Sequence, residues 1–184
     1  MTVALEKFDP TKTYAGLKKA GKGGFDCGHK VINDFVAGSL KQQVQARSSV
    51  AWVLTDDANL DQNGNPFLVG FYTWTMMSVD QSLLVHLGSK LPKLVPCVRL
   101  VMLGVDKSYK GQKWGTDLMR HALGNTRALA AQVGCRGMYL DADAGAYGFY
   151  VGLGFKSLDA TGGQAPRGVS TPMFIFLEGI PADI

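Results

Sequence analysis

The stretch 97-CVRLVMLGVDKSYKGQKWGTDLMRHAL-123 decides the fold. Residues 97–106 form a nearly continuous apolar run, as expected of a strand covered on both faces. The next segment, 109-YKGQKWG-115, carries two glycines and two lysines, and no acid follows until Asp117. Beyond it, Leu118, Met119, Ala122, Leu123, Thr126, Leu129 and Val133 recur at helical spacing. They predict a helix from about Thr116 to Val133, with Gly134 as its C′ glycine. A strand that turns tightly into a helix start offers free backbone N–H groups and the positive end of a helix dipole. That is a seat for phosphate. Gly111 and Gly115 allow close backbone approach, and Lys110 and Lys113 add charge. Such a turn is also a routine strand-to-helix connection. It matches neither GxxxxGK[ST] nor GxGxxG.

Outward from this unit, 25-FDCGHKVINDFVAGSLKQQVQ-45 reads as one helix with Asp26 as N-cap. Its apolar stripe is Val31, Ile32, Phe35, Ser39, Leu40 and Val44. Runs 49-SVAWVLTD-56 and 67-FLVGFYTWTMMSV-79 read as an antiparallel hairpin around the Asn63-Gly64 turn signal. Segment 82–96 fits a short helix or an exposed connection ending in proline. Downstream come a strand at 136–142, a short helix at 145–153, a turn at Gly154-Phe155, the glycine-rich loop 159–168 and a final strand, 171-TPMFIFLE-178. The order predicts an α/β domain with a mixed central sheet flanked by helices, and residues 1–184 form one domain.

Composition narrows the classes. Hydrophobic residues at 46% and charged residues at 18% of 184 describe a globular chain, not a disordered one. There is no internal repeat, no apolar run long enough to span a bilayer and no signal-peptide core in MTVALEKFDP, so a cytoplasmic location without membrane contact is expected. Cys27, Cys97 and Cys135 are scattered, which predicts reduced, buried thiols and no metal site. The net charge of +4 is uneven. Between Lys7 and Arg47, eight bases (Lys7, Lys12, Lys18, Lys19, Lys22, Lys30, Lys41, Arg47) oppose three acids (Asp9, Asp26, Asp34), a local excess of +5. This is ordinarily a solvated face; it is also the footprint an RNA partner requires.

The turn resembles the acyl-CoA pyrophosphate loop of the GNAT N-acetyltransferase superfamily, Q/R-x-x-G-x-G/A. The matching stretch is 110-KGQKWG-115, which departs from the pattern at Lys110 and Lys113. Two further segments carry the resemblance. Residues 146-AYGFYVGLGF-155 fit A-x-x-F-Y-x-x-x-G-F at every fixed position, and 103-LGVD-106 looks like L-A-V-D. The N-terminal 25-FDCGHKVINDFV-36 is similar to F-x-C-G-x-x-x-L-D-x-F-L of the branch that contains the acetyltransferase toxins of toxin–antitoxin modules.

The resemblance implies a GNAT fold, acetyl-CoA as co-substrate without a metal, and acetyl transfer to a primary amine. It assigns coenzyme contact to Leu103, Gly104 and Val105 along the strand and to Lys110, Gly111, Gln112, Lys113, Trp114, Gly115 and Thr116 in the loop. Tyr150 becomes the general acid near the coenzyme sulfur, since a tyrosine with a pKa of about 10 is protonated at neutral pH. Packing against Tyr147 and Phe149 is its alternative role. In the toxin branch the acceptor is the α-amino group of an aminoacyl-tRNA, which makes Lys30, Lys41 and Arg47 candidate RNA contacts. A small antitoxin protein and a homodimer are implied partners. Asp141 and Asp143 are candidate bases or turn residues; His29, His86 and His121 show no metal spacing. Trp74 and Trp114 stack on a base or adenine, or pack in the core. Acetylation of a protein or small-molecule amine, and a non-catalytic acyl-CoA-binding module, are the competing readings.

Overall fold

The computed structural model describes residues 3–18, 23–88, 90–159, 163 and 168–181. Lys19 and Lys22 of the basic segment, and most of the 159–168 loop, lie outside the described residues. Among the described residues, seven strands form one sheet: β1 (Val3–Lys7), β2 (Val50–Leu60), β3 (Pro66–Asp80), β4 (Leu94–Val105), β5 (Gly137–Ala142), β6 (Lys156–Ser157) and β7 (Thr171–Phe176). Their order is β1-β2-β3-β4-β5-β7-β6. Antiparallel pairs β1/β2, β2/β3, β5/β7 and β6/β7 and the parallel pair β4/β5 make the sheet mixed. The helices are α1 (Lys30–Gly38), α2 (Leu40–Gln45), α3 (Trp114–Ala130) and α4 (Tyr147–Gly152). The fold is the α/β arrangement the sequence predicts.

The chain groups into two compact units, 1–75 with 102–120 and 76–101 with 121–184. The first is built around Phe71, which meets Phe25 edge-on at 5.6 Å and stacks with Phe35 at 6.1 Å. Leu40, Val53 and Leu68 are fully buried in the same cluster, each contributing about 2 kcal/mol of apolar transfer. In the second unit, Val79, Leu84, Val95, Cys97 and Phe174 form the core. There β5 pairs with β4 over Val98–Leu100 and with β7 from Gly137 to Ala142.

Several local expectations change. The helix foreseen from residue 25 starts at Lys30 with His29 as N-cap. Gly28, at φ +88°, takes a left-handed turn that a helix cannot contain, and Asp26 uses its side chain on Gly28 N–H and the Asn33 amide instead of capping. A break at Ser39 then separates α1 from α2. Val31 is 59% exposed, because the buried arc centres on Ile32, Phe35 and Val36 and its neighbour lies about 100° around the helix.

Helix α3 starts two residues earlier and ends three residues earlier than expected. Gly134 is not in the left-handed region, and Val133 is 46% exposed in the turn that follows. Segment 82–96 contains two single 3₁₀ turns, Gln81–Leu83 and Val85–Leu87, before β4 begins at Leu94. Strands β1 and β6 were not foreseen: β1 is half-buried along most of its length, and β6 has two residues. Neither leaves a clear alternating pattern.

Candidate active site

The turn is built from β4 outward. The register of β4 with β5 ends at Leu100↔Leu140, while β4 continues to Val105. Leu103 and Val105 are half-buried and Gly104 is buried. A Cβ on Gly104 would stand 3.1 Å from Ile32 Cγ2 and 3.2 Å from Phe25 Cζ, so packing demands glycine there whatever the backbone does. Asp106, 3% exposed, closes the strand by accepting the N–H of Asp26 at 2.8 Å and of Ser108 at 2.9 Å. Lys107 adds a second tie, from its N–H to the Asp26 carbonyl at 2.9 Å and from Nζ to Asp26 Oδ2 at 3.0 Å. These bonds hold the Asp26 carboxyl well below its ordinary value, at about 2; Lys107 is the main cause, followed by the Gly28 N–H and the Asn33 amide.

Tyr109 is buried, and its hydroxyl donates to Asp56 Oδ2 at 2.9 Å and accepts from the Asn59 amide at 3.0 Å. The loop then makes two left-handed turns, at Gly111 (φ +81°) and Lys113 (φ +66°). The Lys113 carbonyl accepts from the N–H of Thr116 at 2.8 Å and of Asp117 at 3.1 Å, which starts α3 at Trp114. Lys110, Gly111, Gln112 and Lys113 are exposed; Trp114, Gly115 and Thr116 are half-buried. The indole N–H of Trp114 is buried with no hydrogen-bond partner. Lys110 lies along the N-terminal segment, its ammonium 3.6 Å from where a Cβ on Gly28 would be. The loop thus has the parts an anion seat needs: two lysines, first-turn N–H groups without an intrahelical carbonyl, and the glycine-like path at Lys113.

In the second unit, Tyr150 lies on α4 and is 8% exposed. Its ring contacts Phe149 at 5.1 Å and Phe155 at 5.7 Å, both edge-on. Burial, and then the nearby Asp143 carboxylate, push its phenol up to about 12, so it carries a proton across the neutral range. Asp141 is committed elsewhere: it accepts from Arg99 at 3.0 Å and from the Tyr139 hydroxyl at 2.7 Å. The Asp143 carbonyl receives the N–H groups of Ala146 and Tyr147 and so opens the α4 turn. His29 caps α1, His86 Nε2 lies 3.2 Å from the Ser157 carbonyl, and burial lowers the pKa of His121.

The candidate RNA contacts are exposed. Lys30 pairs with Asp34 one turn on, Lys41 projects from α2, and Arg47 follows α2 at φ +56°. Trp74 is half-buried and meets Tyr72 edge-on at 6.2 Å, which is a packing contact. Among the described residues, no group of three or more His, Cys, Asp and Glu could hold a metal, and no helix is long and apolar enough to cross a membrane.

The family model described as acetyltransferase (GNAT) family matches residues 38–155, and the chain belongs to that family. It is an N-acetyltransferase with acetyl-CoA as co-substrate. Solved structures share the fold. A bacterial toxin is 31% identical with a TM-score of 0.82, over 96% of this chain and 92% of that one. A tyrosine-to-phenylalanine mutant of the toxin AtaT, bound to acetyl-CoA and the C-terminus of its antitoxin AtaR, is 22% identical with a TM-score of 0.71, over 96% and 94%. AtaT complexed with acetyl-methionyl-tRNAfMet is 22% identical with a TM-score of 0.75, over 96% of both chains.

Proposed function

We propose that this protein acetylates the α-amino group of an aminoacyl-tRNA in the cytoplasm and so blocks its use in translation. The observation that carries this is the exposed basic surface of the first unit, Lys30, Lys41 and Arg47, in a segment with a +5 excess, on a fold shared with a toxin solved with an acetylated aminoacyl-tRNA. Lysine and arginine contacts to phosphate give affinity and register without choosing a base. The choice of tRNA therefore rests on other contacts.

The division of labour follows from the residues. Bound acetyl-CoA supplies an activated acetyl thioester. The N–H groups opening α3, with Lys110 and Lys113, hold its pyrophosphate, and Leu103, Gly104 and Val105 run along the pantetheine arm. Gln112, Trp114, Gly115 and Thr116 complete the loop. The neutral amine attacks the thioester carbonyl, forming the amide C–N bond as the C–S bond breaks. Tyr150 delivers its proton to the departing sulfur and regains one from solvent, while the amine's proton leaves to water. Binding and orientation of the two reactants supply most of the acceleration. Residues 1–184 act as one catalytic domain, a homodimer presents two basic faces, and a small antitoxin protein restrains the activity.

The test is transfer of radiolabelled acetyl from acetyl-CoA into a pool of charged tRNA, run beside deacylated tRNA and a panel of peptide and small amines. Label is expected only in charged tRNA, released with the amino acid by mild base. Label confined to peptide or small amines overturns the acceptor assignment.

A further inference from the structure

The loop does not hold its shape through its own residues alone. Tyr109 enters it directly, and its hydroxyl is pinned from two sides, donating to Asp56 at 2.9 Å and accepting from Asn59 at 3.0 Å. The other Asp56 oxygen accepts the Ala58 N–H at 3.0 Å, and Asp56 is 5% exposed. The Tyr109 ring stacks on Phe67 at 6.1 Å and 22°. In a regular strand, residues three apart point to opposite faces. Asp56 and Asn59 nevertheless reach one hydroxyl, because the β2/β3 register jumps from Asp56↔Phe67 to Leu60↔Pro66 and leaves 57–59 outside the ladder. Such an irregularity re-aims side chains beside functional segments.

We propose that Asp56, Asn59 and Tyr109 are positioning residues for coenzyme binding. The bulged end of β2 fixes the direction in which the chain enters Lys110–Gly115. That in turn aims the first N–H groups of α3 at the anion. The proposal rests on the reading of this loop as the pyrophosphate seat. Removing the Tyr109 hydroxyl leaves a buried carboxylate short of a donor and an amide short of an acceptor, so the entry to the loop loosens.

The experiment is calorimetry on wild type, Tyr109→Phe, Asp56→Asn and Gly115→Asp, each titrated with CoA and with pantetheine, which lacks the pyrophosphate. Tyr109→Phe is expected to weaken CoA binding by roughly tenfold, the equivalent of one hydrogen bond to a charged group, and to leave pantetheine binding unchanged. If Tyr109→Phe does not fold, Asp56→Asn, which keeps the shape of the side chain, is held to the same criterion. CoA affinity equal to wild type in a folded variant overturns the proposal, and so do equal losses for both ligands, which would mark general damage. Gly115→Asp separates the two levels: if it binds CoA as wild type does, the loop reading itself fails.

Discussion

Lys113 and Gly111 stand two residues apart and share the left-handed backbone region, at φ +66° and +81°. The lysine therefore takes a backbone conformation that ordinarily favours glycine. A residue with a Cβ pays about 1 kcal/mol or more for that conformation. Lys113→Gly is expected to raise stability by roughly 1 kcal/mol, offset in part by the added freedom of glycine in the unfolded chain. Lys113→Val should destabilise the fold, since a β-branched side chain tolerates the region least. Denaturant midpoints at unchanged m-value check both.

Tyr150→Phe removes one hydroxyl and keeps the ring that packs against Phe149 and Phe155. Acetyl transfer should fall about a hundredfold or more, with acetyl-CoA affinity retained. In wild type, transfer rises with pH as the acceptor amine loses its proton, and shows no loss from Tyr150 until pH nears about 12. The same shift acts on stability. The phenol is harder to ionise folded than unfolded, so its contribution is full below pH 10 and is lost as pH rises through 10 to about 12. Rate profiles and alkaline denaturation of the two proteins read these effects separately.

Asp26 carries the opposite sign. Its pKa falls from 3.8 unfolded to about 2 in the folded chain, chiefly through Lys107. Its stabilisation is present above pH 3.8 and is lost as pH falls toward 2. Asp26→Asn should flatten the acid limb of a stability profile in that window and leave the alkaline limb alone. An unchanged acid limb would contradict the bridge between the N-terminal segment and the loop base.

Gly137 tests the sheet of the second unit. A Cβ there would lie 2.0 Å from the Ile175 carbonyl oxygen and 2.9 Å from the Phe174 ring. The oxygen belongs to the β7 backbone and cannot rotate away. Gly137→Ala is expected to cost more than about 3 kcal/mol, beyond ordinary overpacking. Gly145→Ala, with nothing within 4 Å of the added carbon, is the matched control. Thermal unfolding of both checks the contrast.

The legible parts of this molecule are those whose signal is local. The apolar run at 97–106, the two glycines of the turn and the helical spacing after Leu118 each announce one element, and all three elements are present. The 146–155 motif located α4 and Tyr150 in the same way. What escaped depends on distant partners. Asp26 reads as a cap until Lys107 and Asp106, 81 and 80 residues away, claim its side chain and backbone. Tyr109 reads as one more aromatic until the bulge of β2 brings Asp56 and Asn59 to it, 53 and 50 residues distant. Lys113 departs from the expected glycine in the sequence, but only the backbone shows that it sits in the left-handed region that favours glycine.

Binding of acetyl-CoA by calorimetry, for wild type and Gly115→Asp at equal salt, asks whether residues 110–115 hold the coenzyme's phosphates. The added carboxylate stands at the helix start, where an anion is to bind and where a negative charge repels it. Saturable binding by wild type and none by a folded Gly115→Asp is the expected result. Equal binding by both proteins would contradict it.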